Sequence, residues 1–359
     1  MSKTTHQGIL EISSQGRGFL RNPKYNFQPR STDPMLPAPL IREYELREGL
    51  HLEVEVEETG SGQAAPVVTR VIKCNGRSLR EYSRVPDIKS GTSIDPEEQL
   101  SITLDERDYT GRIIDLFAPI GKGQRGMIIS PPKAGKTTIL KHIAHAVHQN
   151  HPEVKIIVLL VDERPEEVTD FKRDTPGALV FHSSSDEDVE SHLRITHLTL
   201  NMAMRMTEFG DDVLVLIDSL TRMGRAFNKD TYSGGKTLSG GLAANALDIP
   251  RQFFGAARNI EGGGSLTIIA TVLVETGSRM DEVIFQEFKG TGNMELVLSR
   301  ECAERRLYPA VNLRESGTRK EHKLLSEEAL RESGLLRRKI AGMKPPEALA
   351  YVLDALRRQ

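Results

Sequence analysis

The string Ser130-Pro131-Pro132-Lys133-Ala134-Gly135-Lys136-Thr137 carries the clearest chemistry in this chain of 359 residues. Gly135-Lys136-Thr137 has the ending of a phosphate-binding loop. Such a loop needs backbone N–H groups wrapped around phosphate, a lysine on the β and γ oxygens, and a hydroxyl for Mg²⁺. Ser130 stands where these loops usually open with glycine, so context has to decide. An apolar strand pattern precedes the loop and a helical pattern follows it, which is the setting the mechanism demands. Further along, Val213-Leu214-Val215-Leu216-Ile217 is an apolar run ending in Asp218; an acid in that place helps to hold a phosphate-bound metal. Ser219 either meets the metal's water shell or caps the next helix. A third acid closes Lys155–Val161, in Asp162-Glu163-Arg164-Pro165, on a strand expected to lie beside the phosphate-loop strand. Two readings fit Glu163 by position: it polarises an attacking water, or it simply favours a helix N-terminus.

These residues need a scaffold. From about residue 113, apolar strand patterns (126–130, 155–161, 212–217, 265–274) alternate with helical ones (134–149, 191–208). That alternation predicts a parallel sheet covered by helices, and continuous Ile/Val/Leu runs fit strands buried on both faces. The first 80 residues read differently. Leu52-Glu53-Val54-Glu55-Val56-Glu57 alternates strictly, as a half-buried strand does. With apolar segments at 8–12 and 65–74 and turn formers between them, it predicts a small all-β barrel. Residues 81–112 are polar and read as a connector between a barrel at 1–80 and an α/β unit at 113–359.

Composition excludes several classes. No apolar run is long enough to span a bilayer, and the polar N-terminus has no signal-peptide core. Two cysteines, Cys74 and Cys302, make neither a disulfide framework nor a zinc site, so a reducing cytoplasm is expected. With 48 Lys+Arg against 50 Asp+Glu the net charge is −2, so any nucleic-acid contact must be a local basic channel. His142, His145, His148 and His151 recur every three residues. A metal site and a solvated helix face both fit, and the face is expected because no carboxylate or cysteine joins them in the sequence.

Longer strings carry a family resemblance. Gly121-Lys122-Gly123-Gln124-Arg125-Gly126, Asp162-Glu163-Arg164-Pro165-Glu166-Glu167-Val168, Phe253-Phe254-Gly255-Ala256-Ala257-Arg258-Asn259, Phe288-Lys289-Gly290-Thr291-Gly292-Asn293-Met294-Glu295-Leu296 and Ser316-Gly317-Thr318-Arg319-Lys320 closely resemble the bacterial transcription termination factor Rho family. The resemblance implies a homohexameric ring ATPase: a RecA-like P-loop motor behind an oligonucleotide-binding (OB-fold) barrel. Such a ring moves along nascent RNA and dissociates the RNA polymerase elongation complex, with ATP and Mg²⁺ as its cofactors. It implies nucleotide contacts at Lys133, Ala134, Gly135, Lys136, Thr137 and Thr138, and metal contacts at Thr137 and Asp218. Glu163 resembles the catalytic glutamate and Arg164 a neighbouring switch residue. Arg319 matches an arginine finger reaching the adjacent subunit's site, with Arg306 a second trans arginine, and Tyr308 an aromatic on adenine. From position alone, Arg319 also fits a solvated basic face with Lys320 and Lys323, and Tyr308 a core aromatic.

The resemblance extends to RNA. Ser233–Gly241, with Lys236, Thr237 and Ser239, resembles one pore loop; Thr276-Gly277-Ser278-Arg279-Met280 resembles the other, with Arg279 where lysine is usual. Gly18-Phe19-Leu20-Arg21 matches the barrel's nucleic-acid strand, with Phe19 expected to stack on a base and Arg21 to bind RNA. Two family aromatics are replaced, by Arg17 and Met35. Each lost stacking surface would cost about 1–3 kcal/mol; Arg17 would recover part of that by cation stacking, and Tyr25 and Phe27 are nearby substitutes. Against the family, the chain reads as a short form without the helical bundle that precedes the barrel. Two alternatives stand beside this reading: a rotary or export-type hexameric ATPase subunit, and an RNA-binding regulator or accessory copy with weak termination activity.

Overall fold

A computed structural model describes residues 3–57, 65–231, 241–243 and 246–358. The N-terminal barrel has five strands: β1 (Lys3–Ile12), β2 (Gly18–Arg21), β3 (Met35–Leu36), β4 (His51–Glu57) and β5 (Val67–Cys74). They pair in the order β3-β2-β1-β4-β5, and a β3–β5 pairing closes the ring. The β4 alternation does what its period requires: Leu52, Val54 and Val56 are fully buried while the glutamates between them are half exposed. Leu10, Leu20, Leu36 and Val68 complete this core.

The second unit is a sheet in the order 179–184, 155–163, 212–218, 265–273, 125–130, 294–297, 317–318, parallel except at its last pairing. Its central strands are buried on both faces. Ile156, Val158 and Leu160 enter one core, and Ile157, Leu159 and Val161 the other, which is why the sequence shows unbroken apolar runs there. The order corrects one expectation. The strand ending at Glu163 does not lie beside the phosphate-loop strand; strands 212–218 and 265–273 intervene. Its neighbour is the strand of Asp218, with Leu160 opposite Asp218.

Residues 81–112 are packed on this unit: Ser93–Ile94 pairs with Arg258–Ile260, and Leu100 and Ile102 sit in its core. The barrel docks on the helix Val189–Glu208, among other contacts. Arg194 binds Glu11 and the carbonyl of Phe27, Asn201 donates to Glu48 (2.8 Å), and Glu208 meets Arg47 (3.0 Å) and the N–H of Ile88 (2.9 Å). These residues recur on one helix face. Gly49, at φ 88°, approaches so closely that a β-carbon there would lie 2.3 Å from the carbonyl carbon of Asn201, so only glycine fits.

Candidate functional site

Strand 125–130 ends in the phosphate loop, and the helix Lys136–Asn150 starts directly behind it. Gly135 is the N-cap at φ 97° and no side chain caps the helix. Its first N–H groups therefore point at whatever anion the loop takes. Ser130, at the unusual position, is fully buried and donates to Pro131 O (2.8 Å), so it belongs to the strand end and leaves the loop's turn intact. Lys136 Nζ lies 2.7 and 2.6 Å from the two Asp218 oxygens. Thr137 Oγ1 donates to Asp218 Oδ2 at 3.4 Å, and Thr271 Oγ1 donates to Oδ1 at 2.8 Å. A hydroxyl and a buried carboxylate beside a lysine form the hard-oxygen donor set that suits Mg²⁺ on a triphosphate.

Glu163 is buried beside this cluster. Its Oε1 accepts from Arg222 Nη2 (3.0 Å) and from the N–H of Arg164 (3.2 Å). Its Oε2 is buried with no hydrogen-bond partner among the described residues. Loss of hydration, and then the nearby Asp218 charge, push its pKa up to about 7, against the opposing pull of Arg222 and Lys136. A carboxylate poised near neutrality can take a proton from water at working pH. The kcat/KM of ATP hydrolysis should accordingly rise through about pH 7 as Glu163 ionises. Arg222→Ala, which removes a charge favouring the ionised form, should move that midpoint to higher pH. A profile whose midpoint ignores Arg222 would assign the titration to another group.

Arg222 went unnoticed in the sequence, as did a pattern around it. The helix Leu220–Thr231 begins two residues after Asp218 and carries Arg222, Arg225 and Asn228 at three-residue spacing. Arg222 holds Glu163, Arg225 pairs with Asp281 behind the Arg279 loop, and Asn228 binds Gly241 O and Ala243 N. One helix face thus touches Glu163 and the flanks of both glycine-rich loops. The only sequence signal was polar residues at helical spacing in an otherwise buried helix. Ser219 resolves as a cap, its Oγ accepting from Arg222 N at 3.2 Å.

Tyr308 is 49% exposed, and its ring approaches within 4.0 Å of where a Gly135 β-carbon would sit. It is therefore a surface aromatic over the phosphate loop, not a core one. Arg306 is exposed two residues away. Lys133 and Thr138 are exposed on the loop and the first helical turn, Ala134 is buried beneath them, and Arg164 is exposed next to Glu163.

Two family descriptions match the chain: "Rho termination factor, RNA-binding domain" over residues 6–80, and "ATP synthase alpha/beta family, nucleotide-binding domain" over 111–318. The transcription termination factor Rho of Thermotoga maritima is 47% identical over 350 residues, covering 98% of this chain and 82% of that protein. That of Cereibacter sphaeroides is 46% identical over 353 residues, covering 98% and 83%.

The chain belongs to the transcription termination factor Rho family. It has the ATP-hydrolysing domain and the RNA-binding domain of that family. A solved structure, described as a prototypical ATPase from the type III secretion system of pathogenic bacteria, shares 25% identity at a TM-score of 0.62, over 82% of this chain and 80% of that one. The export-type likeness is thus one of motor fold, and the RNA-binding domain is what sets the Rho family apart.

Other Rho-family residues lie away from the phosphate loop. Arg319 is exposed at the opposite end of the sheet: its N–H donates to Asn293 O, and neighbouring Thr318 pairs with Met294, itself opposite Gly126. The phosphate loop starts only after Ser130, four residues along that strand, or roughly 13 Å at about 3.3 Å per residue. Lys320 and Lys323 are tied to Asp95 and Glu97, whereas Arg319 has no ion pair recorded among the described residues. Exposed in this way, Arg319 fits a solvated face as well as a finger offered to another subunit.

On the barrel, Phe19 is half exposed with the Arg21 guanidinium 4.8 Å from its ring centre. Arg21 is buried between Glu11 (2.5 Å) and Asp33 (2.6 Å), so its charge is taken up and it braces Phe19. Met35 lies opposite Phe19 in the register. Phe27 is no substitute stacking surface: it is fully buried and stacked on Phe181, centroids 4.3 Å apart. Burying such a ring is worth about 1.5–3 kcal/mol to the seam between barrel and motor. Arg279 is exposed at the start of helix Arg279–Phe288. Lys236, Thr237 and Ser239 lie outside the described residues. The histidines form no metal-type cluster among the described residues. Contrary to expectation, a carboxylate does join one of them: His142 lies 3.2 Å from Asp108.

Proposed function

We propose that this protein is an RNA-dependent ATPase and helicase that acts on nascent transcripts in the cytoplasm, as a homohexamer that displaces RNA polymerase. The observation that carries the reading is the convergence of Lys136, Thr137, Asp218 and a near-neutral buried Glu163, in a chain that opens with an RNA-binding domain. The barrel (1–80) loads RNA, the segment 81–112 joins the units, and the motor (113–359) hydrolyses ATP.

In the motor, Lys136 and the loop N–H groups, with Lys133, Ala134, Gly135 and Thr138 around them, hold the β and γ phosphates. Tyr308 stacks on the base. Mg²⁺ on Thr137 and Asp218 would supply charge neutralisation on the phosphate oxygens. Glu163 orients a water and accepts its proton, while Arg222 keeps the carboxylate aimed and Arg164 follows its state. Arg319 of an adjacent subunit stabilises the transferring phosphoryl. Arg306 acts as a second arginine on the adjacent subunit's site. Arg279 and the Lys236 loop grip RNA phosphates in the pore, and an arginine there offers a two-pronged hold. The helix with Arg222, Arg225 and Asn228 carries changes at Glu163 to those loops.

The test is ATP turnover across RNA homopolymers and salt. Pyrimidine RNA should stimulate hydrolysis, and RNA affinity should fall steeply with salt, by about 0.7 log units per log unit for each phosphate neutralised. Turnover indifferent to RNA would place the chain with the export-type ATPases. Stimulated hydrolysis without displacement of a paired strand would make it a regulator.

A further inference from the structure

We propose that Tyr25, backed by Arg30, is a second base-stacking face for single-stranded RNA on the barrel, one that rests on the RNA-binding reading above. Tyr25 is as exposed as Tyr308, at 49%, although it directly precedes two residues anchored in the motor. Asn26 and Phe27 both take left-handed backbone angles, φ 55° and 56°. Asn26 exchanges two hydrogen bonds with the backbone of His182 (2.6 and 2.9 Å), and Phe27 is buried against Phe181. With those two residues pinned, the turn Pro23–Tyr25 holds the Tyr25 ring outward on a rigid mount. Such a mount lowers the ordering cost of binding.

The surroundings suit a nucleotide. The Arg30 guanidinium lies 4.0 Å from the Tyr25 ring centre, so a flat cation supports the ring. A chain of contacts then leads back to Phe19: Arg30 N–H to Asp33 (2.9 Å), Asp33 to Arg21 (2.6 Å), and Arg21 over Phe19. Residues 13–35 contain four basic residues, Arg17, Arg21, Lys24 and Arg30, and one acid, Asp33. Asp33 is spent on Arg21, while Arg17, Lys24 and Arg30 are exposed with no ion pair recorded among the described residues. Two aromatic faces joined by guanidinium groups, with uncompensated positive charge around them, form a track for alternating bases and phosphates. The strip places Tyr25 at the seam with the motor, where Arg17 and Met35 have removed stacking surfaces from the strand itself.

The experiment uses the full chain and a labelled oligouridine of about ten nucleotides, within the span of one such barrel, read by fluorescence anisotropy at low salt. Tyr25→Ala should weaken binding by about 5- to 150-fold, Tyr25→Phe should bind as the parent does, and nucleotide affinity at the motor should not change. Phe19→Ala is measured alongside. If Phe19→Ala weakens binding and Tyr25→Ala does not, the inference is overturned and the barrel's role stands. If neither weakens it, base stacking on the barrel fails, and this inference with it. Ultraviolet crosslinking of the bound RNA to the parent protein gives an answer that requires no variant to fold. Adducts on Tyr25 are expected, and a map containing Phe19 without Tyr25 overturns the proposal.

Discussion

Glu163→Gln should bind nucleotide as the parent protein does and lose RNA-stimulated ATP turnover by about 10²–10⁴-fold. The amide fills the same buried space and still offers an oxygen to Arg222 and to the N–H of Arg164, so the loop, Lys136 and Asp218 keep their places. What disappears is the group that takes the proton. A second readout separates chemistry from folding. The folded-state pKa of Glu163 is raised to about 7 by burial and by Asp218. A raised carboxyl contributes stability that is present below its unfolded pKa and is lost as pH rises through the folded value. The parent protein should therefore lose some stability between about pH 4.5 and 7 that Glu163→Gln retains, giving the variant the higher Tm at pH 8. Normal turnover in Glu163→Gln would remove Glu163 from the catalytic role.

Arg319→Ala should be as damaging, at about 10³–10⁵-fold in turnover, and its cause lies in a different subunit. Within one chain Arg319 is at the far end of the sheet from the phosphate loop, so the role proposed for it is at a neighbour's nucleotide. Mixing tests this directly. Arg319→Ala keeps an intact phosphate loop, and Lys136→Ala keeps an intact Arg319; each alone should be inactive. In mixed rings, interfaces that join the first variant's loop to the second variant's arginine are complete, and ATPase activity should return. Absence of any rescue, with mixed rings demonstrated, would mean that Arg319 acts within its own chain or not at all.

Residues close together in the chain carried their chemistry openly. The loop Ser130–Thr137 with its strand and helix, the acids ending two apolar strands, and the β4 alternation are local patterns. They form because backbone hydrogen bonding and one-sided burial act over a few residues. Contacts across long separations were not legible. Nothing in Lys155–Glu163 says that two strands divide it from the phosphate-loop strand, because strand order comes from packing both helical layers onto the sheet. Arg222 became part of the site only when its helix was laid across the end of that strand.

Tyr25 and Phe27 make the contrast sharpest. In the sequence they are two aromatics in one turn, equal candidates for a base. The turn alone could not rank them, since either ring can face water in an isolated peptide. By itself the sequence determined which groups the chain is equipped with: a lysine and backbone N–H groups that suit phosphate, oxygen donors that suit a metal, and an acid at the end of a buried strand. Only the tertiary structure decided which aromatic reaches solvent, which arginine steadies Glu163, and that Arg319 lies away from its own chain's phosphate loop. Each of those depends on desolvation and charge pairing between segments that meet only when the barrel, the helix Val189–Glu208 and the sheet are packed together.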